Sequence, residues 1–396
     1  MTVRDGWPNG INNKAQERNL PPGTVRDSVN VDPLNSGGYA VRASPDKRYE
    51  ATNMRGCLAV GNVLLIADGE SLVHYDTQTD SAQVIRSIAG SGLFVGDVLN
   101  EELFFCTENE NLRFHAGSLR RWGVQDVLNQ PVPSIVTGSL RPGVYQLAMT
   151  WFDGRDEGGT AGAIQIEVAA NQAITVTLPS RAGHTPRLYV SQPGGSTLYL
   201  QCEGAGGYVV NRVDDSTARL ETMHMRAPRP GSIVTQHNGV LAIADRSYLW
   251  VTTPLRPHLQ RPMSGFFQFA APIGFVISAD GGLYVSADKT YFISGVESDA
   301  PAIQTVFDYA SVAGTAVKSP DDKAVWMTRY GVAITEAPGQ AKLISQEHFV
   351  PELAKAGSSG IVERNGNQLV VTTMTGGRGA NPLAASDHYE AEIVTP

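Results

Sequence analysis

Six stretches of the chain repeat one pattern of polar and apolar positions. Each begins with a polar turn, continues through an alternating apolar strand, passes a second tight turn and ends in another apolar strand. The anchoring turns are Gly61-Asn62, Asn100-Glu101, Asn238-Gly239, Asp280-Gly281, Asp321-Asp322 and Asn365-Gly366. Most successive anchors lie about 40 residues apart, which is the period of a propeller blade. The pattern therefore predicts an all-β fold, a β-propeller of about six blades.

One gap breaks this period. The distance from Asn100 to Asn238 accommodates about one blade and a hundred further residues. Proline pairs flank the extra segment, at 131 and 133 before it and at 228 and 230 after it, as is common at domain boundaries. Apolar runs inside it recur about every ten residues, which favours a small β-sandwich of fibronectin type III character. The alternative is two more blades, but the anchoring turn followed by paired apolar runs is absent there.

These boundaries divide the chain into four parts. We expect an N-terminal arm at residues 1–24, a first propeller part at 25–130, an inserted sandwich at 131–226 and a second propeller part at 227–396. A propeller has to join its first and last blades, because an open sheet edge leaves backbone groups unpaired. Either the strand-turn-strand pattern of residues 25–43 or the alternating segment Tyr389–Val394 could supply the closing strand, and the sequence does not choose.

Composition limits the classes of partner. Of 396 residues, 42% are hydrophobic, and 31 Lys and Arg against 39 Asp and Glu give a net charge of −8. This balance argues against a protein that grips nucleic acid through its phosphates, yet it suits a surface past which DNA slides. No apolar leader and no run of eighteen apolar residues occurs, so we expect a soluble, unsecreted chain without membrane insertion. Cys57 and Cys106 lie in apolar strands and are expected to be buried, reduced thiols.

No signature of catalysis is present. The chain lacks a nucleophile elbow, a phosphate-binding loop, an H-E-x-x-H motif and a C-x-x-C motif. Its eight histidines are dispersed, and we expect His74 and His237 to be structural. The acidic loop Asp153–Gly159 lacks the ligand spacing of a calcium loop and is expected to be an exposed turn. The carboxylate pairs at 214–215 and 321–322 are expected to be solvated. We therefore predict no enzyme activity, no catalytic residue, no cofactor and no metal.

Large aromatic side chains fall mostly at strand positions. A sugar-binding platform would need several of them exposed together, whereas strand positions favour packing between blades. The residues concerned are Tyr75, Phe104, Phe105, Trp250, Tyr284, Phe292 and Trp326. The cluster Gly265–Phe269 is predicted to be a strand rather than a partner contact.

The N-terminal arm carries a resemblance to a known family. Asn9–Asn13, Leu20–Gly23, Arg26–Asp32 and Gly37–Tyr39 resemble the opening of bacteriophage virion propeller proteins, the tail nozzle or hub proteins of short-tailed phages, also called packaged-DNA stabilisation proteins. Later stretches are similar too, at Leu249–Pro254 and at Tyr309–Thr315.

The resemblance implies a ring of identical subunits, expected to number six, below the portal and its adaptor in the virion tail. Such a ring, made in the host cytoplasm, would continue the DNA channel and help retain packaged DNA. The arm is too polar to bury itself, so it packs on its own propeller or docks on a neighbour. Its candidate assembly residues are Trp7, Asn9, Gly10, Ile11, Asn12 and Asn13. Two other functions remain open, a receptor- or glycan-binding tail module and a propeller hydrolase or lyase.

Overall fold

The structure is a computed structural model in which the backbone falls into two units. It describes residues 9–28, 31–33, 39–42, 46–90, 92–107, 109–364, 367–377 and 379–385. The insert-bearing unit is Thr52–Gln268, and the terminal unit combines Met1–Ala51 with Phe269–Pro396. Over the described ranges the regular elements are strands and one 3-10 turn at Glu17–Asn19, without an α-helix. The all-β prediction is confirmed.

The terminal unit begins with a short hairpin. Strand β1 (Val31–Pro33) pairs antiparallel with β2 (Tyr39–Val41). The strand-turn-strand pattern of residues 25–43 predicted this hairpin, in which the pairs among described residues run from Val31 with Val41 to Pro33 with Tyr39.

The insert-bearing unit starts with two four-stranded antiparallel sheets in which the strands follow chain order. The first sheet comprises β3 (Met54–Val60), β4 (Val63–Asp68), β5 (Ser71–Asp76) and β6 (Ser81–Ser87). The second comprises β7 (Val95–Leu99), β8 (Glu102–Cys106), β9 (Asn111–His115) and β10 (Ser118–Arg121). Each anchoring turn of the sequence repeat joins the first strand of its sheet to the second.

The inserted segment forms two sheets whose strand orders are β11-β14-β17 and β13-β12-β15-β16. Neither sheet runs in chain order, unlike the repeat sheets. Both sheets contribute to one apolar core that includes Leu147, Val176 and Leu188. The fibronectin type III assignment itself stays a prediction. The strands are β11 (Ser134–Thr137), β12 (Gly143–Phe152), β13 (Ile164–Val168), β14 (Gln172–Leu178), β15 (Thr185–Ser191), β16 (Leu198–Glu203) and β17 (Gly206–Val210).

A third repeat sheet follows the insert within the same unit. It contains β18 (Ile233–His237), β19 (Val240–Asp245), β20 (Tyr248–Thr253), β21 (Arg256–Gln260) and β22 (Phe266–Gln268). Both β21 and β22 pair with β20. The prediction that the apolar cluster at 265–269 forms a strand is confirmed by β22.

The terminal unit contains the three remaining repeats. Two are four-stranded sheets in chain order, and the sixth is a two-stranded hairpin over the described residues. The strands are β23 (Phe275–Ala279), β24 (Gly282–Ser286), β25 (Thr290–Ser294), β26 (Ala302–Phe307), β27 (Val317–Lys318), β28 (Ala324–Thr328), β29 (Gly331–Ala337), β30 (Gln340–Leu343), β31 (Ala356–Arg364) and β32 (Asn367–Thr375). Six repeats thus correspond to six sheets or hairpins, and closure into a propeller stays a prediction.

The anchoring turns have the backbone that their residues favour. Asn238 and Gly239 have φ angles of 42° and 81°, and Asp280 and Gly281 have 52° and 74°. Two consecutive positive φ angles define the tight type I′ hairpin, which Asn, Asp and Gly tolerate best. Asn100 and Glu101 adopt the same conformation, at 52° and 64°, although glutamate is a less usual residue there. These turns fix the register of the strands they join.

Consecutive sheets within a unit pack through their apolar faces. Phe105 of β8 packs with Leu65 and Leu72 of the first sheet, whereas its neighbour Phe104 packs with Leu241 of the third. Adjacent strand residues point to opposite faces, so one strand supplies both cores. All seven aromatic residues predicted to pack between blades are at most 9% exposed, which confirms that interpretation. Full burial of one such ring contributes about 1.5–3 kcal/mol.

The cysteines depart in part from expectation. All three are free thiols, and Cys106 is buried as predicted, which raises the pKa of its thiol to about 12. Cys57, however, is exposed, so its predicted burial is wrong. Leu58 and Val60 of the same strand pack on the core, and Cys57 lies on the opposite face. The apolar composition of β3 indicates that one of its faces is buried, but it does not show which face carries the thiol of Cys57.

Candidate functional site

The arm residues predicted to mediate assembly begin a loop that folds back on itself. Trp7 lies outside the described residues. The backbone amide of Asn9 donates to the carbonyl of Gly23 at 2.9 Å, and its side-chain amide donates to the carbonyl of Pro22 at 3.0 Å. Ile11 forms a parallel bridge with Val25. Many backbone hydrogen-bonding groups of the polar arm are therefore paired with one another between residues 9 and 25.

Asn13 attaches this loop to later segments of the same terminal unit. Its side-chain nitrogen donates to the carbonyl of Val350 at 2.7 Å, and its side-chain oxygen accepts from the amide of Val350 at 3.0 Å. Its backbone amide donates to the carbonyl of His348 at 3.0 Å, and its carbonyl accepts from the amide of Ala385 at 2.9 Å. One residue thus holds together two segments that lie more than 330 positions further along the chain.

Three further residues complete this attachment, which we call the arm clasp (Asn12, Asn13, Arg26 and Asn381). Asn12 is 5% exposed, and its side-chain oxygen accepts from the amides of Lys14 and Ala15. Arg26 donates to the carbonyls of Ala15 at 3.1 Å and Ala385 at 2.5 Å. The arm therefore packs on its own chain, one of the two outcomes expected for it.

The buried amide of Asn381 ties the same region from the other side. Its nitrogen donates to the carbonyls of Arg329 at 2.7 Å and Pro351 at 2.8 Å. Sequence reasoning missed Asn381 because no local pattern distinguishes it from a loop asparagine. Candidate assembly residues Asn12 and Asn13 are committed to contacts within the chain. Asn9, Gly10 and Ile11 are exposed or half-buried, and their assembly role stays a prediction.

A second constellation of polar residues lies in the insert-bearing unit. The loop Asp153–Gly159, expected to be an exposed turn, instead packs against the second repeat sheet, so that expectation is wrong. Asp153 Oδ1 accepts from the amides of Arg155 at 2.9 Å and Asp156 at 2.8 Å, which bends the loop. At Gly159 a Cβ atom would lie 1.9 Å from the carbonyl oxygen of Met225, so only glycine permits this approach. Backbone contact thus holds the loop against the unit.

Buried ion pairs join the loop to the sheet, and we call them the insert junction (Glu102, Arg113, Asp153, Arg155, Asp156 and His258). Arg113 of β9 is 2% exposed, and its Nη2 lies 2.5 Å from Oδ2 of Asp156. Its Nε lies 3.6 Å from Glu102 of β8, and Arg155 pairs with Glu102 at 3.0 Å. Positive and negative groups alternate across the junction, so each buried charge faces an opposite one.

The junction shifts the pKa of two of its members. Burial lowers the pKa of His258, and the carboxylate of Asp156, 3.5 Å away, offsets this only in part. For Asp153, burial acts to raise the pKa, but amide hydrogen bonds and the charge of Arg113 outweigh it and lower the pKa overall. The junction therefore favours the neutral form of the His258 imidazole and the ionised form of the Asp153 carboxyl.

Glu157 extends the network into the insert. Its carboxylate accepts from the hydroxyls of Thr150 at 2.5 Å and Tyr189 at 2.6 Å. Arg187 lies 3.8 Å from it, pairs with Glu203 at 2.6 Å and stacks 3.7 Å above the ring of Phe152. Burial and the neighbouring carboxylate raise the pKa of Tyr189. The loop is thus bonded to the insert as well as to the repeat sheet.

A shallow cleft of about 220 Å³ opens beside the junction. Three of its four arginines, Arg155, Arg187 and Arg256, are paired with carboxylates, and the fourth, Arg219, lies over the ring of Tyr199 at 6.0 Å. Within the described ranges, no group of three His, Cys, Asp or Glu side chains is placed to hold a metal ion. The arrangement can fix the insert rigidly.

The two ends of the inserted segment are also tied together. Asp126 accepts from the amide of Ala227 at 2.8 Å, and burial raises the pKa of this carboxyl. Trp122 Nε1 donates to the carbonyl of Pro257 at 2.6 Å. The segment that enters the insert is therefore bonded to the segment that leaves it, and Trp122 also contacts β21 of the third repeat sheet.

Comparison with known proteins gives no family. No protein-family model matches the chain, and no curated protein matches it. Among solved structures, similarity is found to KlHsv2 with loop 6CD replaced by a Gly-Ser linker, at 10% identity and a TM-score of 0.31 over 81% of this chain and 89% of that chain. YCF48 bound to D1 peptide is similar at 10% identity and a TM-score of 0.30 over 89% of this chain and 100% of that one. In the part of the chain that the structure describes, no helix has the length and apolar character to span a membrane.

Proposed function

We propose that this chain is a structural protein of a bacteriophage tail. In this proposal identical copies form a ring, the nozzle or hub, which continues the DNA channel below the portal and adaptor and helps retain packaged DNA. The ring would be built by cyclic head-to-tail contacts, for which wedge-shaped propeller subunits are suited. The chain would be made in the host cytoplasm and would reside in the virion tail.

The arm clasp carries this proposal. The arm motif that resembles phage nozzle proteins is dispersed over residues 9–39, and two of its members, Asn13 and Arg26, act together on the segments around Val350 and Ala385. The clasp also presents the adjoining residues Asn9 and Gly10 at the surface, where a neighbouring subunit or adaptor can reach them.

The charge balance supports the same function. A net charge of −8 disfavours adhesion of the DNA that has to leave the particle through the channel. The insert junction adds a mechanical argument, because a subunit in a channel wall has to keep its inserted segment fixed under load. In this proposal the buried, mutually paired charges of the junction hold the segment in one orientation.

Imaging of purified protein tests the proposal. Light scattering should give a mass near six times the 42.4-kDa chain, and negative-stain averages should show a cyclic ring. A protein that remains monomeric at high concentration, in the presence and absence of an adaptor, would count against a ring component. A glycan array run with the same preparation separates the alternative, because a receptor-binding module should retain one class of glycan. The seven strand aromatics are buried and cannot form that platform.

A further inference from the structure

The cleft beside the insert junction contains an arginine without a carboxylate partner. The guanidinium carbon of Arg219 lies 6.0 Å from the centre of the Tyr199 ring, and the two residues also form an antiparallel bridge. Among the described residues, no carboxylate forms an ion pair with Arg219. The other arginines that line the cleft pair with glutamates, in Arg155–Glu102, Arg187–Glu203 and Arg256–Glu221. The guanidinium donors of Arg219 therefore remain available to a ligand.

A buried hydroxyl lines the same cleft. Thr222 is 3% exposed, and its Oγ1 has no hydrogen-bond partner in the part of the chain that the structure describes. Its backbone carbonyl is held in place, because it accepts from the amides of Thr160 at 3.3 Å and Met225 at 3.2 Å. An unpaired buried polar atom is destabilising, and buried polar atoms of native proteins are nearly always hydrogen-bonded. Thr222 therefore indicates a polar ligand atom inside the cleft.

The acidic residues that line the cleft are already compensated. Each lies against an arginine, in the pairs Asp156–Arg113, Glu157–Arg187 and Glu221–Arg256. Burial lowers the pKa of His258, so its imidazole is neutral and adds no charge at neutral pH. The donors that remain for a ligand are those of Arg219 and Thr222, and they suit an anion.

We propose that this cleft binds a carboxylate group, with Arg219 and Thr222 as its donors. A guanidinium presents two parallel N–H donors that match the two oxygens of a carboxylate, and a hydroxyl can donate to one of the same oxygens. The acids that line the cleft repel a dianion such as phosphate more strongly than a singly charged carboxylate. The volume of about 220 Å³ is below the about 300 Å³ at which sites for drug-sized ligands begin. The carboxylate therefore belongs to a small organic acid or to an acidic side chain of another copy of this chain.

Saturation-transfer NMR on the full-length protein tests the site with propionate, which carries one carboxylate on a short alkyl chain. Propionate should bind, and inorganic phosphate should compete only at about tenfold higher concentration. R219A should weaken propionate binding about tenfold or more, since it removes a charged, two-pronged donor. R219K keeps the charge without the paired donors and should have an intermediate effect. The control R212A removes an exposed arginine of the insert that does not line the cleft, and it should leave binding unchanged.

Substitution of Thr222 separates a ligand-binding role from a structural one. T222V preserves the shape of the side chain and removes the unpaired hydroxyl, so without propionate it should melt at the same temperature as the unchanged protein or higher. It should nevertheless weaken propionate binding several-fold, whereas T222S keeps the hydroxyl and should bind normally. A lower melting temperature of T222V without propionate would show that the hydroxyl bonds to a structural water, and would overturn the proposal.

Light scattering of the same solutions identifies the source of the carboxylate. If the ligand is a free acid, propionate binds and neither propionate nor R219A changes the mass of the particle. If the carboxylate comes from another copy of this chain, propionate or R219A lowers that mass. Both results support the site, which does not depend on the ring proposed above. Absence of propionate binding together with an unchanged mass would overturn the proposal. Phosphate that binds as tightly as propionate, or an equal loss of binding in R212A and R219A, would overturn it as well.

Discussion

Replacing Asp156 by alanine removes the closest partner of a buried arginine. Arg113 is 2% exposed, and its 2.5 Å contact with Asp156 is the only one of its ion pairs within hydrogen-bond distance. Glu102 and Asp153 would remain 3.6 and 3.8 Å from Arg113, close enough to offset its charge but too far to form a good hydrogen bond with it. Stranding one partner of a buried pair costs about 3–5 kcal/mol, and the two remaining carboxylates reduce our expectation to about 2–4 kcal/mol.

Three further variants, R155A, R113M and R113M/D156A, provide a comparison and complete a double-mutant cycle for Arg113 and Asp156. R155A removes an arginine that is itself 46% exposed, but it leaves the buried Glu102 with only Arg113 at 3.6 Å, so it should cost about 1–2 kcal/mol, less than D156A. The double variant R113M/D156A removes both members of the closest buried pair, and Glu102 keeps Arg155 as its partner. It should therefore be more stable than D156A, with a coupling energy of about 1–3 kcal/mol.

The assay is urea unfolding followed by tryptophan fluorescence, since Trp122 and Trp151 lie in the insert-bearing unit. Hydrogen exchange in residues 143–158 localises the effect to the insert. If D156A and R155A shift the transition equally, or if the double variant is no more stable than D156A, the junction does not act as a buried ion network.

Three further changes are expected to have measurable effects. Burial lowers the pKa of His258 in the folded protein, so the unfolded chain takes up the proton first as the pH falls. The contribution of His258 to stability is therefore present above about pH 6.5 and declines below it. H258Q should flatten that decline in urea unfolding, and equal pH profiles for the two proteins would refute the expectation. N13A should lower the melting temperature of the terminal unit and expose residues 9–25 to proteolysis. It removes two side-chain hydrogen bonds, each worth about 0.5–1.5 kcal/mol. The control N9A removes one exposed side-chain hydrogen bond and should change both readouts little. G159A should destabilise the insert by more than about 2 kcal/mol because its Cβ would meet the carbonyl of Met225, while G162A, where the nearest atom is 3.9 Å away, should be nearly neutral in the same urea assay.

Local signals in the sequence were sufficient for the repeat sheets. Asn-Gly and Asp-Gly pairs impose positive φ angles on a two-residue turn, so they reveal the hairpins and their register. The alternation of apolar residues likewise identified buried aromatics such as Phe104 and Trp326. These features depend on neighbours within about ten residues, a range over which the sequence pattern reports directly on structure.

Contacts between residues far apart in the sequence could not be predicted from local patterns. The acidic loop Asp153–Gly159 has the composition of a solvated turn, and only the fold places it against Arg113, about 40 positions earlier. Asn13 and Val350 are separated by 337 positions, and nothing near either residue indicates the other. Cys57 shows a related difficulty, because an apolar strand predicts a buried face without deciding which face it is.

The most direct test of the account is electron cryomicroscopy of the assembled protein at a resolution that resolves strands. The account predicts a closed ring of identical subunits around a channel wide enough for duplex DNA, with six repeat sheets arranged about one axis in every subunit. Dispersed single subunits, or sheets laid side by side without a common axis, would contradict it.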